Sequence, residues 1–163
     1  SGSILTATMA GTRCLPVEIQ ALTSTGFLGS AKRRGTGLDA NRLAMLIAVL
    51  EKHGGQRLAD QDIFAAVTGG VRVVEPAADL ALVLAIAGAH HGRAISRGTV
   101  VLGEIGLTGE VRSVRNIEQR LRELARRGAT AAIVPSSQAA PSQGLGLEIL
   151  PVRGIGAALG LLS

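Results

Sequence analysis

Aromatic residues are nearly absent from this 163-residue chain, which has no Trp, no Tyr and only two Phe, Phe27 and Phe64. The hydrophobic fraction of 47% therefore comes mainly from Leu, Val, Ile and Ala. This composition predicts a tightly packed aliphatic core in one domain of ordinary size. It also leaves little surface on which the bases of a single strand could stack.

Several classes of protein are excluded by what else is missing. Cys14 is the single cysteine, so there is no disulfide framework and no thiolate zinc site, which fits a reducing cytoplasm. His53, His90 and His91 lack the spacing of zinc-ligand motifs, so no metal is expected in this domain. The longest strongly apolar run, residues 80–89, is about half a membrane span and predicts a buried helix, with no membrane contact and no signal peptide.

Basic residues outnumber acidic ones by 17 to 12, and the resulting charge of +5 suggests an anionic partner. Two segments concentrate this charge. Residues 29–37 are predicted to form a flexible, glycine-flanked loop that carries Lys32, Arg33 and Arg34. The second segment is a strand–helix unit whose arginines are Arg112, Arg115, Arg120, Arg122, Arg126 and Arg127.

Local ion pairing offers a second interpretation of the helical arginines. Glu118 and Glu123 each stand four residues before an arginine, and such pairs can simply solvate a helix face. No carboxylate lies within four residues of Lys32, Arg33 or Arg34 along the chain. The residues predicted to contact an anionic partner are accordingly Lys32, Arg33, Arg34, Arg112, Arg115, Arg122 and Arg126.

With a nucleic acid as the partner, contacts from these side chains would hold phosphates without reading bases, so binding should be salt-sensitive and largely independent of sequence. The shortage of aromatic residues would then favour a duplex over a single strand. On a helical wheel, Arg122 and Arg126 adjoin each other opposite an apolar stripe formed by Ile117, Leu121 and Leu124.

Hydrophobic periodicity predicts alternating strands and helices, hence an α/β class with a mixed sheet. Asp39 is expected to cap a helix that ends at Gly54 and Gly55, and Pro76 suits the first turn of a central helix that reaches His91. Residues 1–3 resemble a cloning scar, which leaves residues 4–163 as a single domain. Strands are expected at residues 12–23, 62–68, 99–102, 131–134 and 147–152, with a hairpin at 103–114 and a last short helix at 155–162.

No catalytic set can be assembled from these residues. The phosphate-binding P-loop and the nucleophile-elbow motif are both absent. A Ser–Lys dyad needs a lysine buried deeply enough to lose its proton near neutral pH, whereas Lys32 lies in the predicted loop and Lys52 at an exposed helix end. Asp39 and Asp79 stand near helix starts and are assigned to structure.

Several segments resemble the Lon-protease-like domain at the C-terminus of bacterial RadA proteins, also called Sms. The matching region runs from about Thr12 to Pro135, roughly three-quarters of the chain. The matches lie at residues 17–21, 37–45, 58–62, 69–71, 78–82 and 103–111. The second and third of these distinguish RadA from Lon, and the strand–helix–strand order of residues 107–135 resembles the Lon proteolytic domain itself. The resemblance implies a mixed sheet with packed helices of the ribosomal protein S5 domain 2-like type.

The resemblance also implies that protease activity has been lost. In Lon domains the catalytic serine follows a Gly-Pro just ahead of the central helix, which places Ala77 at the nucleophile. An ungapped match through residues 107–111 places Glu118 at the catalytic lysine. A methyl group cannot attack a carbonyl, and a carboxylate cannot replace that lysine. The resemblance therefore implies no catalytic residue and no cofactor in this domain.

What the resemblance implies instead is a part of a DNA repair and recombination ATPase. RadA-type proteins form hexameric rings on branched DNA, and their Lon-like domain supports the ring and contributes to DNA binding. The resemblance therefore implies that the seven residues predicted to contact an anionic partner are DNA-binding residues. Zinc, ATP and Mg²⁺ would belong to a zinc finger and a RecA-like ATPase that this sequence lacks, so it would be a fragment of a longer chain. Two alternatives stay open: a residual peptidase with a displaced Ser–Lys pair, and an oligomerisation collar without DNA contact.

Overall fold

The computed structural model describes residues 1–27 and 29–163 and shows a mixed α/β fold. The strands are β1 (Ser3–Ala10), β2 (Arg13–Thr25), β3 (Arg33–Thr36), β4 (Gln61–Val67), β5 (Thr99–Val101), β6 (Glu104–Ile105), β7 (Val111–Arg112), β8 (Ala131–Pro135) and β9 (Glu148–Val152). The helices are α1 (Ala40–Gly54), α2 (Asp79–His91), α3 (Ile117–Arg126) and α4 (Ile155–Leu159). Seven strands form one sheet in the order β3-β4-β2-β1-β5-β8-β9, and β6 and β7 form a separate antiparallel pair.

The sheet is mixed because β2 runs antiparallel to both β1 and β4, while the remaining neighbours are parallel. Successive residues of a strand point to opposite faces, and each face has its own apolar cluster. Val101 joins the cluster that contains α1, α2 and α4, whereas Val100 joins the cluster that contains α3. Among the described residues, α3 is the helix that packs on the second face, which we call the outer face.

The two long helices agree closely with their prediction. Asp39 precedes α1 and accepts a hydrogen bond from the backbone N–H of Asn41 at 3.3 Å, and Gly55 ends the helix in the left-handed region at φ 67°. A short 3₁₀ turn over Pro76–Ala78 leads into α2, whose residues from Leu80 to Gly88 are all buried. In the described part of the chain, no helix has both the length and the hydropathy needed to cross a membrane.

Strand β1 is missing from the prediction, which begins its first strand at residue 12. Its Ser, Thr and Ala residues give a weak apolar alternation, and its place in the sheet comes from an eight-residue antiparallel register with β2. Ser3 is the first residue of this strand. Gly2 is buried, and its carbonyl accepts a hydrogen bond from the N–H of Ala21 at 2.7 Å. Setting residues 1–3 aside from the fold was therefore wrong, whatever their origin.

The predicted flexible loop at residues 29–37 is also corrected. Its second half is β3, which pairs in parallel with β4 from Arg33 opposite Ile63 to Thr36 opposite Ala66. Glycines and arginines give no strand-like pattern on their own, so this strand depends on a partner that is distant in sequence.

Candidate functional site

Helix α3 presents Arg122 and Arg126 to solvent because its apolar stripe is buried, and Arg127 follows directly after the helix. Arg122, Arg126 and Arg127 have exposed fractions of 66%, 74% and 60%. Both expected i,i+4 pairs form: Arg122 lies 3.7 Å from Glu118, and Arg127 lies 3.2 Å from Glu123. Arg126 also reaches Glu123, at 3.1 Å, so two guanidinium groups share one carboxylate.

An open groove of about 980 Å³ lies between this helix and the first residues of β2, and we call it the α3 groove. Arg122, Arg126 and Arg127 line it from the helix side, and Arg13 lines it from β2. The side-chain amide of Gln119 donates to the carbonyl of Thr12 at 2.9 Å and so connects the helix to the turn ahead of β2. Arginines therefore stand on both sides of this groove.

The two predicted arginines ahead of α3 have different surroundings. Arg112 donates to Glu110, with its Nη2 2.9 Å from Oε2. Hydrogen bonds from the Thr108 hydroxyl and then from Arg112 lower the pKa of Glu110 to about 2. Arg115 is exposed and forms no ion pair with any described residue. Of this pair, Arg115 is the one whose charge is not already matched.

Arg120 does not belong to the exposed arginine surface, although the sequence places it among the clustered arginines. Its side chain is only 1% exposed and makes two hydrogen bonds to the carboxylate of Glu75, with Nη2 2.9 Å from Oε2. It also donates to the carbonyl of Ala7 at 2.9 Å and to that of Arg115 at 2.8 Å. Glu75 in turn accepts from the N–H of Met9 at 2.9 Å. Through these bonds, Arg120 and Glu75 connect α3 with β1, with the segment before α2 and with Arg115 just ahead of α3.

The pH dependence of stability should report on this pair. Burial alone would raise the pKa of Glu75, but the hydrogen bonds from Arg120 and Met9 outweigh it and lower the pKa below its ordinary value of 4.5. A lowered pKa means that the pair stabilises the fold above about pH 4.5 and that this contribution is lost as the pH falls through the folded-state pKa. The melting temperature of Glu75→Gln should therefore lie well below that of the wild type at pH 7, and the gap should narrow at pH 3. A gap that stays constant with pH would contradict this account.

The segment around Lys32 is less open than predicted. The guanidinium of Arg33 donates to the carbonyls of Leu58, at 2.8 Å, and Gln61, so it is engaged inside the protein. Lys32 and Arg34 are exposed and have no ion pair within the described residues. The backbone N–H of Lys32 donates to Asp62 Oδ1 at 2.7 Å, so a carboxylate that is distant in sequence lies nearby in space.

Arg34 lies on the same face of the sheet as α3. It pairs in register with Phe64, whose neighbours Ile63 and Ala65 point into the opposite, α2-side core. Strand β3 is nevertheless the edge strand, three strand spacings from β1, or about 14 Å. The two predicted basic regions therefore share a face but do not merge into one site.

Ala77 and Glu118, the positions matched to a protease dyad, are not brought together. Ala77 is 4% exposed and lines a cleft of about 150 Å³ with Arg120, Ser113 and Glu104. Glu118 is 54% exposed and lines the α3 groove instead. The basic residues that line this cleft are Arg115 and Arg120, and an arginine stays protonated and cannot act as a general base.

The sequence contained a signal for this buried arginine. Ile117, Arg120, Leu121 and Leu124 follow the i, i+3, i+4, i+7 spacing of a buried helix face. Arg120 therefore occupies a core position of an otherwise apolar stripe, and a charged residue at such a position needs a partner.

Asp79 is the other buried charge of this region, at 3% exposure. It accepts from Arg42, with Nε 2.7 Å from Oδ1, and from the N–H of Ile105 at 3.0 Å. Its role is structural, as predicted, but it connects α1 and β6 rather than capping its own helix. Within residues 1–27 and 29–163, no group of three or more His, Cys, Asp and Glu side chains is placed to hold a metal ion.

Comparison with known protein families places the chain in a defined class. A family model described as "Subunit ChlI of Mg-chelatase" matches residues 52–138, slightly more than half of the sequence, and the chain belongs to that family. The curated relatives that match the chain indicate a more specific group of proteins, because they are named DNA repair protein RadA. Those of Pseudomonas aeruginosa, Escherichia coli and Bacillus subtilis are 44%, 43% and 43% identical over 98–99% of this chain. The predicted relationship to RadA is confirmed, and the chain spans about a third (35–36%) of the length of these relatives.

Proposed function

We propose that this chain is a catalytically inactive Lon-like module of a RadA-type DNA repair ATPase, which binds duplex or branched DNA without sequence preference and contributes to assembly of a hexameric ring in the cytoplasm. The names of the relatives support the DNA repair role, because they match nearly the whole chain. Zinc, ATP and Mg²⁺ would be bound by other parts of such a protein.

One observation carries the DNA-binding part of this proposal. Exposed arginines stand on both walls of the α3 groove, and the helix that bears most of them is fixed by a buried apolar stripe. A guanidinium can donate two parallel hydrogen bonds to a phosphate, which makes arginine well suited to a nucleic-acid backbone. Contacts of this kind position a duplex without reading it.

Different observations support two other parts of the proposal, the S5 domain 2-like fold and the lack of peptidase activity. A mixed sheet with helices on both faces is compatible with a Lon-like domain, and the resemblance of residues 103–111 points the same way. A methyl group stands at Ala77, and the nearby cation is held by Glu75. This cleft offers neither a nucleophile at that position nor a base beside it.

Fluorescence anisotropy with two labelled duplexes of equal length and unrelated sequence tests the DNA-binding proposal. We expect both duplexes to bind at low salt with dissociation constants that agree within about threefold, because phosphate contacts carry no sequence information. A single strand of the same length should bind more weakly. A base preference above about tenfold, or no binding at low salt, would contradict the proposal.

The two alternatives make different predictions. A residual peptidase would be labelled by an active-site serine probe, whereas the inactive module would not. An oligomerisation collar would give the native mass of a ring but no affinity for DNA at any salt concentration. Native mass and anisotropy on the same preparation therefore separate the collar from the DNA-binding module.

A further inference from the structure

The α3 groove contains a basic residue that the sequence pattern does not single out. Arg13 stands at the start of β2, directly after the turn that forms the wall opposite α3. It is exposed, and it makes no ion pair and no side-chain hydrogen bond with the described residues. Nothing in the fold uses its charge.

The balance of charge in the groove is positive. Arg13, Arg122, Arg126 and Arg127 line it together with two carboxylates, Glu118 and Glu123. The three arginines at the helix pair with those carboxylates at solvent-exposed positions, where water and salt screen the attraction and such pairs contribute little. A phosphate entering the groove can therefore exchange with them at little cost.

The two sides of the groove are connected within the fold. The Gln119–Thr12 hydrogen bond joins α3 to the turn, and Leu121 and Leu124 pack beneath the helix against the outer face of the sheet. Arg13 on one side and Arg122 and Arg126 on the other therefore flank the space that a strand would occupy. The basic segment at β3 offers only one wall, and its Arg33 is engaged internally.

We propose that one sugar-phosphate strand of a DNA duplex lies in the α3 groove, held by Arg13 from the turn and by Arg122 and Arg126 from the helix. The outer face of the sheet is then the side that meets DNA. This inference rests on the proposed DNA-binding function and extends it to a particular face and to a residue outside the arginine-rich helix.

The test compares single variants by anisotropy with a labelled duplex. Arg13→Ala and Arg122→Ala should each raise the dissociation constant about fivefold or more and reduce the salt slope by about one. Arg57→Ala is the matched control, because Arg57 is exposed, has no ion pair with any described residue and follows α1 on the opposite face. Its affinity should equal that of the wild type.

The variant Glu118→Gln is expected to bind more tightly than the wild type, a result that a misfolded protein would not give. Removing a carboxylate from the groove should lower the dissociation constant by about twofold or more, because it frees Arg122 for phosphate. If the wild type binds but Arg13→Ala behaves like Arg57→Ala, the inference is overturned while the proposed function stands. Loss of affinity only in Lys32→Ala and Arg34→Ala would also overturn it and move the contact to β3. If the wild type does not bind at all, the proposed function itself fails.

Discussion

Replacing Arg120 with Ala is expected to lower the free energy of unfolding by about 3–5 kcal/mol, the usual cost of leaving one member of a buried ion pair without its partner. The guanidinium is 1% exposed, and its loss leaves the Glu75 carboxylate and the carbonyls of Ala7 and Arg115 without donors. A domain of this size is typically stable by about 5–15 kcal/mol. Urea unfolding should therefore show a large fall in the midpoint.

Two further variants test whether this loss of stability comes from the buried ion pair. Arg122→Ala removes an exposed arginine of the same helix and should cost less than about 1 kcal/mol. The double variant Glu75→Gln with Arg120→Met should cost clearly less than the sum of its single variants, because neither change then leaves a buried charge unpaired. A cost below about 1 kcal/mol for Arg120→Ala would show that the pair does not hold α3 in place.

The second large effect is expected at Asp79. Asp79→Ala should destabilise the protein by about 2–3 kcal/mol, because it leaves the N–H of Ile105 buried without an acceptor and removes the partner of Arg42. The cost is smaller than for Arg120 because one buried backbone group, the N–H of Ile105, loses its partner at Asp79, whereas two carbonyls lose theirs when Arg120 is removed.

Asp39→Ala is the matched control for this prediction. Asp39 also stands at a helix start, but it is exposed and makes a single capping bond to Asn41. Its loss should cost about 1 kcal/mol, as is usual for an N-cap. Equal effects at the two positions in urea unfolding would mean that Asp79 is no more than a cap and that its contacts to α1 and β6 contribute nothing.

These two aspartates show how far sequence reasoning reaches. Both were predicted to be structural from their position at a helix start, and both are. A cap contacts the next few residues and can be found locally. The partners of Asp79 come from Arg42 and Ile105, so nothing near it in the sequence distinguishes it from Asp39.

The difference between local contacts and contacts from distant residues also explains which helices and strands could be predicted. Helix α1 and strand β2 were predicted from their apolar periodicity, and α2 was predicted from its continuous apolar run. Strands β1 and β3 were missed because their residues favour no element locally and are fixed by pairing with β2 and β4. The overall α/β class could therefore be predicted, but the position of β3 at the edge of the sheet could not.

The arginines of the candidate site also differ in how much of their position could be predicted from the sequence. The outward direction of Arg122 and Arg126 follows from the buried stripe of α3 and was predicted correctly. The buried position of Arg120 was readable from the i, i+3 spacing, although its partner Glu75 was not. Arg13 joins the groove only because the β1–β2 turn folds against α3, a contact between residues that are 107 positions apart at Gln119 and Thr12.

The measurement that tests the account most directly is the affinity for a labelled duplex over a series of salt concentrations. Each phosphate neutralised by an arginine contributes about 0.9 to the slope of log K against log salt. Three groove arginines therefore predict a slope of about −2.7, which should fall in magnitude by about 1.8 in the double variant Arg13→Ala with Arg122→Ala. Affinity that does not change with salt, or a double variant with the slope of the wild type, would contradict a phosphate contact in the α3 groove.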